Sequence, residues 1–251
     1  MSSRPRTNMS SPALARVVEL VVHRGTQRVL DGVSETLCQG EVVVIMGENG
    51  SGKTTLIEAF AGLIPLRSGD VIWAENGNSI VVRDSQGRRN QPPSMGLTLQ
   101  KGGVCGDETV MERISVSLSV AGIEHSDYQI MELLSLWGLE HRANDRLAHL
   151  SGGLSRRVAI LGGLAPAALS NSPLVVLLDE PSEGLDDSAK DILSSWIRSL
   201  SSRNHAILIA THDKDISSTA DRVLTIRDGS IEEQIGKSLG DICDLPQSEE
   251  R

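Results

Sequence analysis

Aromatic side chains are scarce in this chain of 251 residues. Phe, Tyr and Trp together account for 2% of the residues, whereas 39% of the residues are hydrophobic. Leu, Val, Ile and Ala must therefore fill the interior. The length is sufficient for one α/β core with a small helical lobe.

An excess of positive charge is also lacking. The chain has 24 Lys and Arg against 33 Asp and Glu, which gives a formal net charge of −9. A protein that binds nucleic acid through its backbone needs a basic surface to neutralise the phosphates. The composition therefore argues against nucleic acid as the main partner.

Cysteine is rare, and the three cysteines are far apart in the chain. Cys38, Cys105 and Cys243 do not show the paired Cys or His spacing of a zinc site. This usage is typical of a protein in a reducing cytosol, where disulfides are rare.

Long hydrophobic runs are absent as well. Runs such as 174–178 fall far short of the roughly 20 residues that a membrane helix requires. Near the N-terminus, Arg16 and Glu19 interrupt a stretch that would otherwise resemble the apolar core of a signal peptide. We therefore predict a soluble, cytoplasmic protein that contacts a membrane only through a partner.

The pattern that is present alternates short apolar strands with longer helices. Two β-type runs flank Asn76-Gly77, a strong hairpin signal. Residues 109–147 have helical periodicity with polar breaks, which predicts a helical lobe inserted into a sheet domain. Strands are predicted at 16–22, 41–46, 95–99, 174–178, 206–210 and 222–226. The predicted organisation is a disordered segment at 1–12, one domain at 13–236 with the lobe at about 104–160, a mobile glycine-rich loop at 101–106, and a polar tail at 237–251.

A glycine-rich loop follows the strand predicted at 41–46. It reads Gly47-Glu48-Asn49-Gly50-Ser51-Gly52-Lys53-Thr54, a full match to the phosphate-loop pattern. The glycines let backbone N–H groups turn inward, where they and the helix N-terminus meet phosphate charge. Lys53 is expected to reach the β and γ phosphates, and the Thr54 hydroxyl to ligate Mg²⁺. We predict that this loop, together with Thr55, binds the phosphates of a nucleotide.

Two carboxylates follow the apolar run 174–178. Asp179 stands at the strand end, where a carboxylate can hold Mg²⁺ through water, and Glu180 comes next. Taken alone, the pair is more often an acidic strand end that leads into a turn. Its meaning depends on the other motifs in the chain.

A second glycine turn lies between these two motifs. It reads Leu150-Ser151-Gly152-Gly153-Leu154-Ser155-Arg156-Arg157, and it opens a predicted helix, so it supplies further backbone donors for phosphate oxygens. With the three motifs in this order, residues from about 16 to 233 resemble an ABC ATPase. The resemblance implies an α/β fold: a P-loop NTPase core with a mostly parallel sheet, an N-terminal antiparallel β part and the inserted helical lobe. It also implies that Ser151, Gly152 and Gly153 close over the ATP of a partner subunit in a head-to-tail homodimer or heterodimer.

The resemblance assigns roles to polar residues at the strand ends. It implies that Glu180 polarises the water that attacks the γ phosphate, a general-base role worth about 10²–10⁴ in rate. Residues 183–186 would cross the dimer interface. His212 matches a histidine that contacts the γ phosphate, although a lone His is more often structural. Gln100 resembles a glutamine that binds Mg²⁺ and links the nucleotide to the lobe, so the expected Mg²⁺ ligands are Thr54, Gln100 and Asp179.

The chain departs from the family pattern at two positions. Leu154 stands where the second turn usually ends in Gln, which puts a polar contact to the opposite nucleotide in doubt. Arg24 stands where the family has an aromatic residue that stacks on adenine. Its guanidinium either stacks on the base in place of the aromatic ring or remains solvated in a loop.

The function implied by the resemblance is ATP hydrolysis in a dimer that closes on ATP and opens afterwards. Because no membrane span is predicted, we expect the ATP-binding subunit of a transporter, bound to separate permease subunits on the cytoplasmic face of the membrane. Arg24, the short length and the run at 69–73 also resemble haem-exporter subunits of cytochrome c maturation. The alternative is a soluble ABC ATPase that drives an assembly process such as iron–sulfur cluster assembly.

Overall fold

The computed structural model describes residues 11–100, 106–236 and Leu245. The predictions for most of the N-terminal segment, for loop residues 101–105 and for nearly all of the tail therefore lie outside the described residues. Within the described ranges the chain forms ten strands and six α-helices. The strands are β1 (Ala13–Arg24), β2 (Gln27–Cys38), β3 (Val42–Met46), β4 (Ser68–Glu75), β5 (Asn78–Asp84), β6 (Met95–Thr98), β7 (Val175–Asp179), β8 (Ala206–Ala210), β9 (Arg222–Arg227) and β10 (Ser230–Gly236). The helices are α1 (Lys53–Phe60), α2 (Val110–Val120), α3 (Asp127–Leu136), α4 (Gly152–Leu169), α5 (Asp187–Ser202) and α6 (Lys214–Ser217).

A six-stranded sheet with the order β10-β9-β3-β8-β7-β6 lies at the centre of the fold. β3 runs parallel to both β8 and β9, and β7 runs parallel to both β8 and β6. Only the β9–β10 pair in this sheet is antiparallel. β7 and β8 are buried along their whole length, as is typical of parallel strands covered on both faces. The predicted α/β fold with a mostly parallel sheet is confirmed.

The second sheet is antiparallel, with the order β2-β1-β4-β5. Its hairpin from β4 to β5 turns at Asn76 and Gly77, whose φ angles of 50° and 80° are the left-handed values that a two-residue type I′ turn requires. This sheet is the N-terminal antiparallel part that the resemblance implied. The strand pattern did not predict β2 itself, because several of its residues are polar and exposed and interrupt the alternation.

Two hydrophobic cores lie on opposite faces of the central sheet. Side chains of a strand point alternately to the two faces, so Val44, Val176 and Ile207 belong to the core shared with the helices α2 to α5. Val43 and Leu177 belong to the core shared with α1 and the antiparallel sheet. The domain is therefore a stack of layers with the parallel sheet in the middle.

α2 and α3 form the predicted helical lobe. Thr109 and Ser126 begin these helices with capping boxes. Each hydroxyl accepts from the N–H three residues on, and the Glu112 or Gln129 side chain at that position accepts from the N–H of the capping residue. Trp137, after α3, is buried and packs edge-on against Trp196 of α5, with ring centroids 5.7 Å apart. The lobe is thereby attached to the helix that follows the acidic strand end.

α4 extends from the lobe to the central sheet and lies directly against β6. A Cβ at Gly163 would be 2.0 Å from the Thr98 Oγ1, and a Cβ at Gly96 would be 2.2 Å from the Gly163 carbonyl oxygen. Glycine at these two positions therefore permits the close approach of helix and strand. The approach matters because the second glycine turn lies at the N-terminus of α4.

Two further observations bear on the cysteine and membrane predictions. Cys38 is buried and disulfide-bonded. The wide spacing of the cysteines did not indicate this bond, since distance along the chain does not determine distance in space.

Among the described residues, no helix is both long enough and apolar enough to cross a membrane.

Candidate functional site

The phosphate loop lies between β3 and α1, at the carboxyl end of a central strand. Gly47, Gly50 and Gly52 have positive φ angles of 152°, 86° and 115°, which favour glycine. A Cβ at Gly47 would be 2.4 Å from the Ile226 carbonyl oxygen, and one at Gly52 would be 2.9 Å from the Val29 carbonyl oxygen. The spacing of the glycines is therefore required both by the backbone conformation and by the neighbouring strands.

Lys53, the first residue of α1, bends back over the loop. Its Nζ donates to the carbonyl oxygens of Gly47 at 2.8 Å and Glu48 at 3.1 Å, and the residue is buried. In the first turn of a helix, the N–H groups have no partner within the helix. Their donors and the ammonium group consequently face the same space, as a phosphate site requires.

Asp179 ends β7 beside this loop and is fully buried. Burial raises the pKa of its carboxyl, while the Thr54 hydroxyl and the Gln100 backbone act in the opposite direction. Neither carboxylate oxygen has a hydrogen-bond partner of normal geometry. A buried carboxylate without a partner is costly, and a divalent cation would supply the missing partner.

The donor set near Asp179 fits Mg²⁺ bound together with phosphates. Among the described residues, no group of three or more His, Cys, Asp or Glu side chains could hold a metal ion. Mg²⁺, however, is commonly bound by one or two carboxylates, with waters and substrate phosphates as the remaining ligands. Thr54, Gln100 and Asp179 match that arrangement in their chemistry.

Glu180 has a backbone conformation that is rare for a residue with a side chain. Its φ is 46°, and such strain is found mainly where the surrounding structure fixes it, often at active sites. Its N–H donates to the Ala210 carbonyl at 2.7 Å. Its buried carboxylate lies 2.9 Å from the Nδ1 of His212, whose side chain is 73% exposed. The strain thus directs the carboxylate toward the predicted histidine.

One cleft collects most of the predicted site residues. It has a volume of about 500 Å³ and lies between the phosphate loop, α1 and the ends of the central strands. It contains predicted phosphate-binding residues, the predicted catalytic glutamate and one predicted Mg²⁺ ligand from outside the loop. The predicted residues that line it are Arg24, Asn49, Gly50, Gly52, Lys53, Thr54, Thr55, Gln100 and Glu180. Gln27 and Val29 of β2 also line the cleft, and we did not predict them because β2 itself was not recognised.

The second glycine turn is not part of this cleft. Ser151 caps α4, its Oγ accepting from the Leu154 N–H at 3.4 Å. Gly152 instead lines a separate open pocket with Gln100, Glu183 and Gly184. The Gln100 side-chain amide donates to the Glu183 carboxylate at 3.1 Å between the two pockets. Residues 151–153 are therefore not among those that line the cleft beside the phosphate loop of their own chain.

Arg24 has a partner that the sequence did not indicate. It forms an ion pair with Glu58 of α1, at the edge of the cleft, and its side chain is 47% exposed. The ion pair uses the edge of the guanidinium, so the pair and stacking of the guanidinium face on a base are compatible.

We expect Arg24→Ala to change the affinity for ATP by less than about tenfold, because a partly exposed ion pair contributes at most about 1 kcal/mol. The ratio of ATP to GTP affinities should also stay below about tenfold in parent and variant. Competition binding at fixed Mg²⁺ measures both quantities. Arg28→Ala is the matched control, since Arg28 pairs with Asp31 on the exposed surface. A preference for one base above about a hundredfold would show that another residue reads the base.

Comparison with known proteins agrees with this geometry. The model of the ABC transporter family matches residues 30–183. The lipoprotein-releasing system ATP-binding protein LolD of Granulibacter bethesdensis is 32% identical over 228 residues, covering 88% of this chain and 97% of LolD. The macrolide export ATP-binding/permease protein MacB of Psychrobacter cryohalolentis is 33% identical over 210 residues, covering 82% of this chain. This chain spans only 30% of the length of MacB.

Solved structures share the fold. The structure of an ATP binding subunit of an ABC transporter has a TM-score of 0.74 at 24% identity, covering 89% of this chain and 90% of its own. A dimeric ATP-binding cassette in a post-hydrolysis state, bound to ADP and Pi, has a TM-score of 0.75 at 22% identity, covering 89% and 98%. The family match, the relative aligned over nearly its whole length and the phosphate-loop cleft lead to one conclusion: the chain belongs to the ABC transporter family and is an ATP-binding cassette with that family's ATPase fold.

Proposed function

We propose that this chain hydrolyses ATP in a head-to-tail dimer and thereby drives transport through separate membrane-spanning subunits. The observation that carries the proposal is the cleft at the carboxyl edge of the parallel sheet. Lys53 and the strained Glu180 line this cleft, and the buried Asp179 directly precedes Glu180 and interacts with the Thr54 hydroxyl of α1. Ligand sites of open α/β sheets lie at this edge.

The phosphate loop binds and orients the triphosphate in this proposal. Residues 47–55 provide backbone N–H donors, and the Lys53 ammonium exchanges its two loop carbonyls for phosphate oxygens. A charged donor held by the protein is worth more in such a partly buried cleft than in water. The expected result is tight binding of the β and γ phosphates.

Thr54, Gln100 and Asp179 would hold Mg²⁺ beside the phosphates. The ion supplies charge neutralisation at the β and γ oxygens. For the protein, the main consequence concerns Asp179, whose buried oxygens gain the partner that they otherwise lack. Gln100 also contacts Glu183, so its position connects the Mg²⁺ site to residues 183–186, which we propose lie at the dimer interface.

Glu180 acts as the general base in the proposed mechanism. Its carboxylate accepts a hydrogen bond from the attacking water and orients it toward the γ phosphate. His212, 2.9 Å from that carboxylate, is expected to contact the γ phosphate as the group transfers. The Glu180 backbone is bonded to β8 through the Ala210 carbonyl, and the Glu180 carboxylate also accepts from the His212 N–H at 3.4 Å.

Ser151, Gly152 and Gly153 are proposed to complete the cleft of a second subunit. The supporting observation is that these residues lie outside the cleft of their own chain, at the exposed N-terminus of an 18-residue helix. Such a terminus attracts anions. Leu154 cannot donate a side-chain hydrogen bond there, so the contact would rest on Ser151 and the backbone.

The proposed partners are permease subunits on the cytoplasmic face of the membrane. The name of LolD describes an ATP-binding protein of a lipoprotein-releasing system, and the name of MacB joins ATP-binding and permease parts in one protein. Haem export of the cytochrome c maturation type is a narrower hypothesis, which rests on the position of Arg24 and the run at 69–73. Identification of the permease would decide the cargo.

Purification of the tagged chain from native membranes tests the proposal. We expect an integral membrane protein to co-purify in a fixed ratio with the chain and to change its rate of ATP hydrolysis. Lys53→Ala is the matched control: it should keep the partner and lose hydrolysis, because it removes the phosphate contact and two hydrogen bonds within the loop, away from any membrane-facing surface that we propose. Recovery with a cytosolic scaffold and no spanning protein would instead favour the assembly-type ABC ATPase.

A further inference from the structure

Arg156 connects the second glycine turn to the ends of two central strands. It lies in the second turn of α4, and its guanidinium donates to the carbonyl oxygens of two neighbouring strand ends. One terminal nitrogen contacts the carbonyls of Leu99 at 3.4 Å and Gln100 at 3.5 Å. The other contacts the carbonyls of Asp179 at 3.3 Å and Glu180 at 2.6 Å. One side chain therefore spans the ends of β6 and β7.

The contact with Glu180 is the shortest of the four and falls on the strained residue. The peptide groups flanking Glu180 are held from two sides: its N–H donates to the Ala210 carbonyl at 2.7 Å, and its carbonyl accepts from Arg156. A φ of 46° in a glutamate costs free energy that local contacts must offset. Arg156 is one of the two groups that provide such contacts.

The charge of Arg156 also suits its surroundings. Burial lowers the pKa of its guanidinium, while the carboxylates of Glu183, Asp179 and Glu180 act in the opposite direction, and an arginine stays protonated at neutral pH. Its Nε is buried without a hydrogen-bond partner. The four contacts of its terminal nitrogens with backbone carbonyls, and not a bond from Nε, therefore hold the side chain in place.

We propose that Arg156 is a positioning residue for hydrolysis, which holds the Glu180 backbone in its strained conformation and connects it, with Gln100, to the helix that carries the second glycine turn. The expected effect on hydrolysis rests on the proposed function, whereas the expected effect on the Glu180 backbone does not. The contacts that Arg156 makes are with backbone carbonyl oxygens, one of them that of Glu180, so it acts through Glu180. The neighbouring Arg157 differs, because it binds the Asp186 carboxylate instead of a strand end.

The matched control is Arg203. Its guanidinium also donates to backbone carbonyls of the α4 segment, those of Ala168 at 2.8 Å and Ser170 at 3.0 Å. These contacts lie at the opposite end of the helix, away from the cleft. Arg203→Ala therefore removes the same kind of bond without touching Glu180.

Hydrogen exchange on the full chain without nucleotide tests the positioning directly. Arg156→Ala should accelerate exchange of the Glu180 N–H by at least about tenfold, because the left-handed conformation loses one of its two fixed contacts. Arg203→Ala should leave that exchange unchanged, and Arg156→Lys should restore part of the protection. Unchanged exchange at residues 179–183 in Arg156→Ala would overturn the proposal, whatever the enzyme does with ATP.

Kinetics supply the second readout. We expect Arg156→Ala to lower kcat by at least about tenfold while the Kd for ATP with Mg²⁺ changes less than about threefold, because the phosphate loop is untouched. Arg156→Lys should recover a large part of kcat. An equal loss in Arg203→Ala, or a kcat within about twofold of the parent in Arg156→Ala, would contradict the proposal. A parent protein that binds ATP but does not hydrolyse it would contradict the proposed function instead, and the exchange experiment would still judge Arg156.

Discussion

Glu180→Gln is expected to lower ATP turnover by at least about 10²-fold and to leave ATP binding nearly unchanged. The amide has the size of the carboxylate but cannot accept the proton of the attacking water. The phosphate loop and Lys53 lie on other elements and keep their contacts. Steady-state phosphate release measures turnover, and equilibrium binding of ATP measures affinity.

The same substitution should trap a dimer in the presence of ATP and Mg²⁺. Closure on two ATP molecules would no longer be followed by hydrolysis, so light scattering should report twice the mass of the nucleotide-free chain. Glu183→Gln is a suitable comparison, because Glu183 lies in the same turn and contacts Gln100 rather than His212. Its loss of turnover should be smaller. If Glu180→Gln hydrolysed ATP near the parent rate, the general base would have to be another group.

Asp179→Asn is expected to change stability and activity in opposite directions. Without nucleotide, the buried carboxylate has no hydrogen bond of normal geometry and burial raises its pKa, so removing its charge should raise the unfolding temperature. With ATP and Mg²⁺, the parent should gain stability through binding, and the variant should lose most of that gain and most of its turnover. Thermal unfolding with and without the ligands measures the two effects.

The pH dependence of stability tests whether the buried charge of Asp179 is the cause of the stability difference. Burial raises the pKa of Asp179 above 3.8 in the folded state, so the folded protein holds this proton more tightly than the unfolded chain. Stability in the parent should therefore fall as pH rises from about 4 through the folded pKa, and this part of the decline should be missing in Asp179→Asn. A variant that unfolds below the parent temperature at pH 7 without nucleotide would mean that the carboxylate has a stabilising contact. A retained Mg²⁺-dependent gain would mean that it does not bind the ion.

Much of the site could be predicted from short stretches of sequence. The phosphate loop can be predicted because the glycine spacing indicates the local backbone conformation, and Lys53 and Thr54 are donors within the same short stretch. The strand 174–178 and its acidic end can be predicted in the same way, since an apolar run that stops at two carboxylates indicates a buried strand end. The mostly parallel sheet was predicted from the resemblance to ABC ATPases that these motifs carry.

Other features could not be predicted in this way. β2 is an irregular strand with polar, exposed residues, so its alternation of apolar and polar residues is weak. Because β2 was not predicted, its cleft residues Gln27 and Val29 were not predicted either. Arg24 offered two alternatives from its residue type, and the partner that the structure gives it, Glu58, stands 34 residues away. Arg156 lies within a recognised motif, but nothing in the motif indicated that it contacts both strand ends.

The sequence by itself determined the fold class, the phosphate loop and the membership of a family of ATPases, because each depends on residues that are close together in the chain or on the order of such groups. Only the tertiary structure decided that Asp179 is buried without a hydrogen bond of normal geometry, that Glu180 has a strained backbone whose carbonyl accepts from Arg156, and that residues 151–153 do not line the cleft of their own chain. Those properties arise where α4, β6, β7 and β8 pack together. Packing joins residues tens of positions apart, and a local pattern contains no information about which distant atoms will meet.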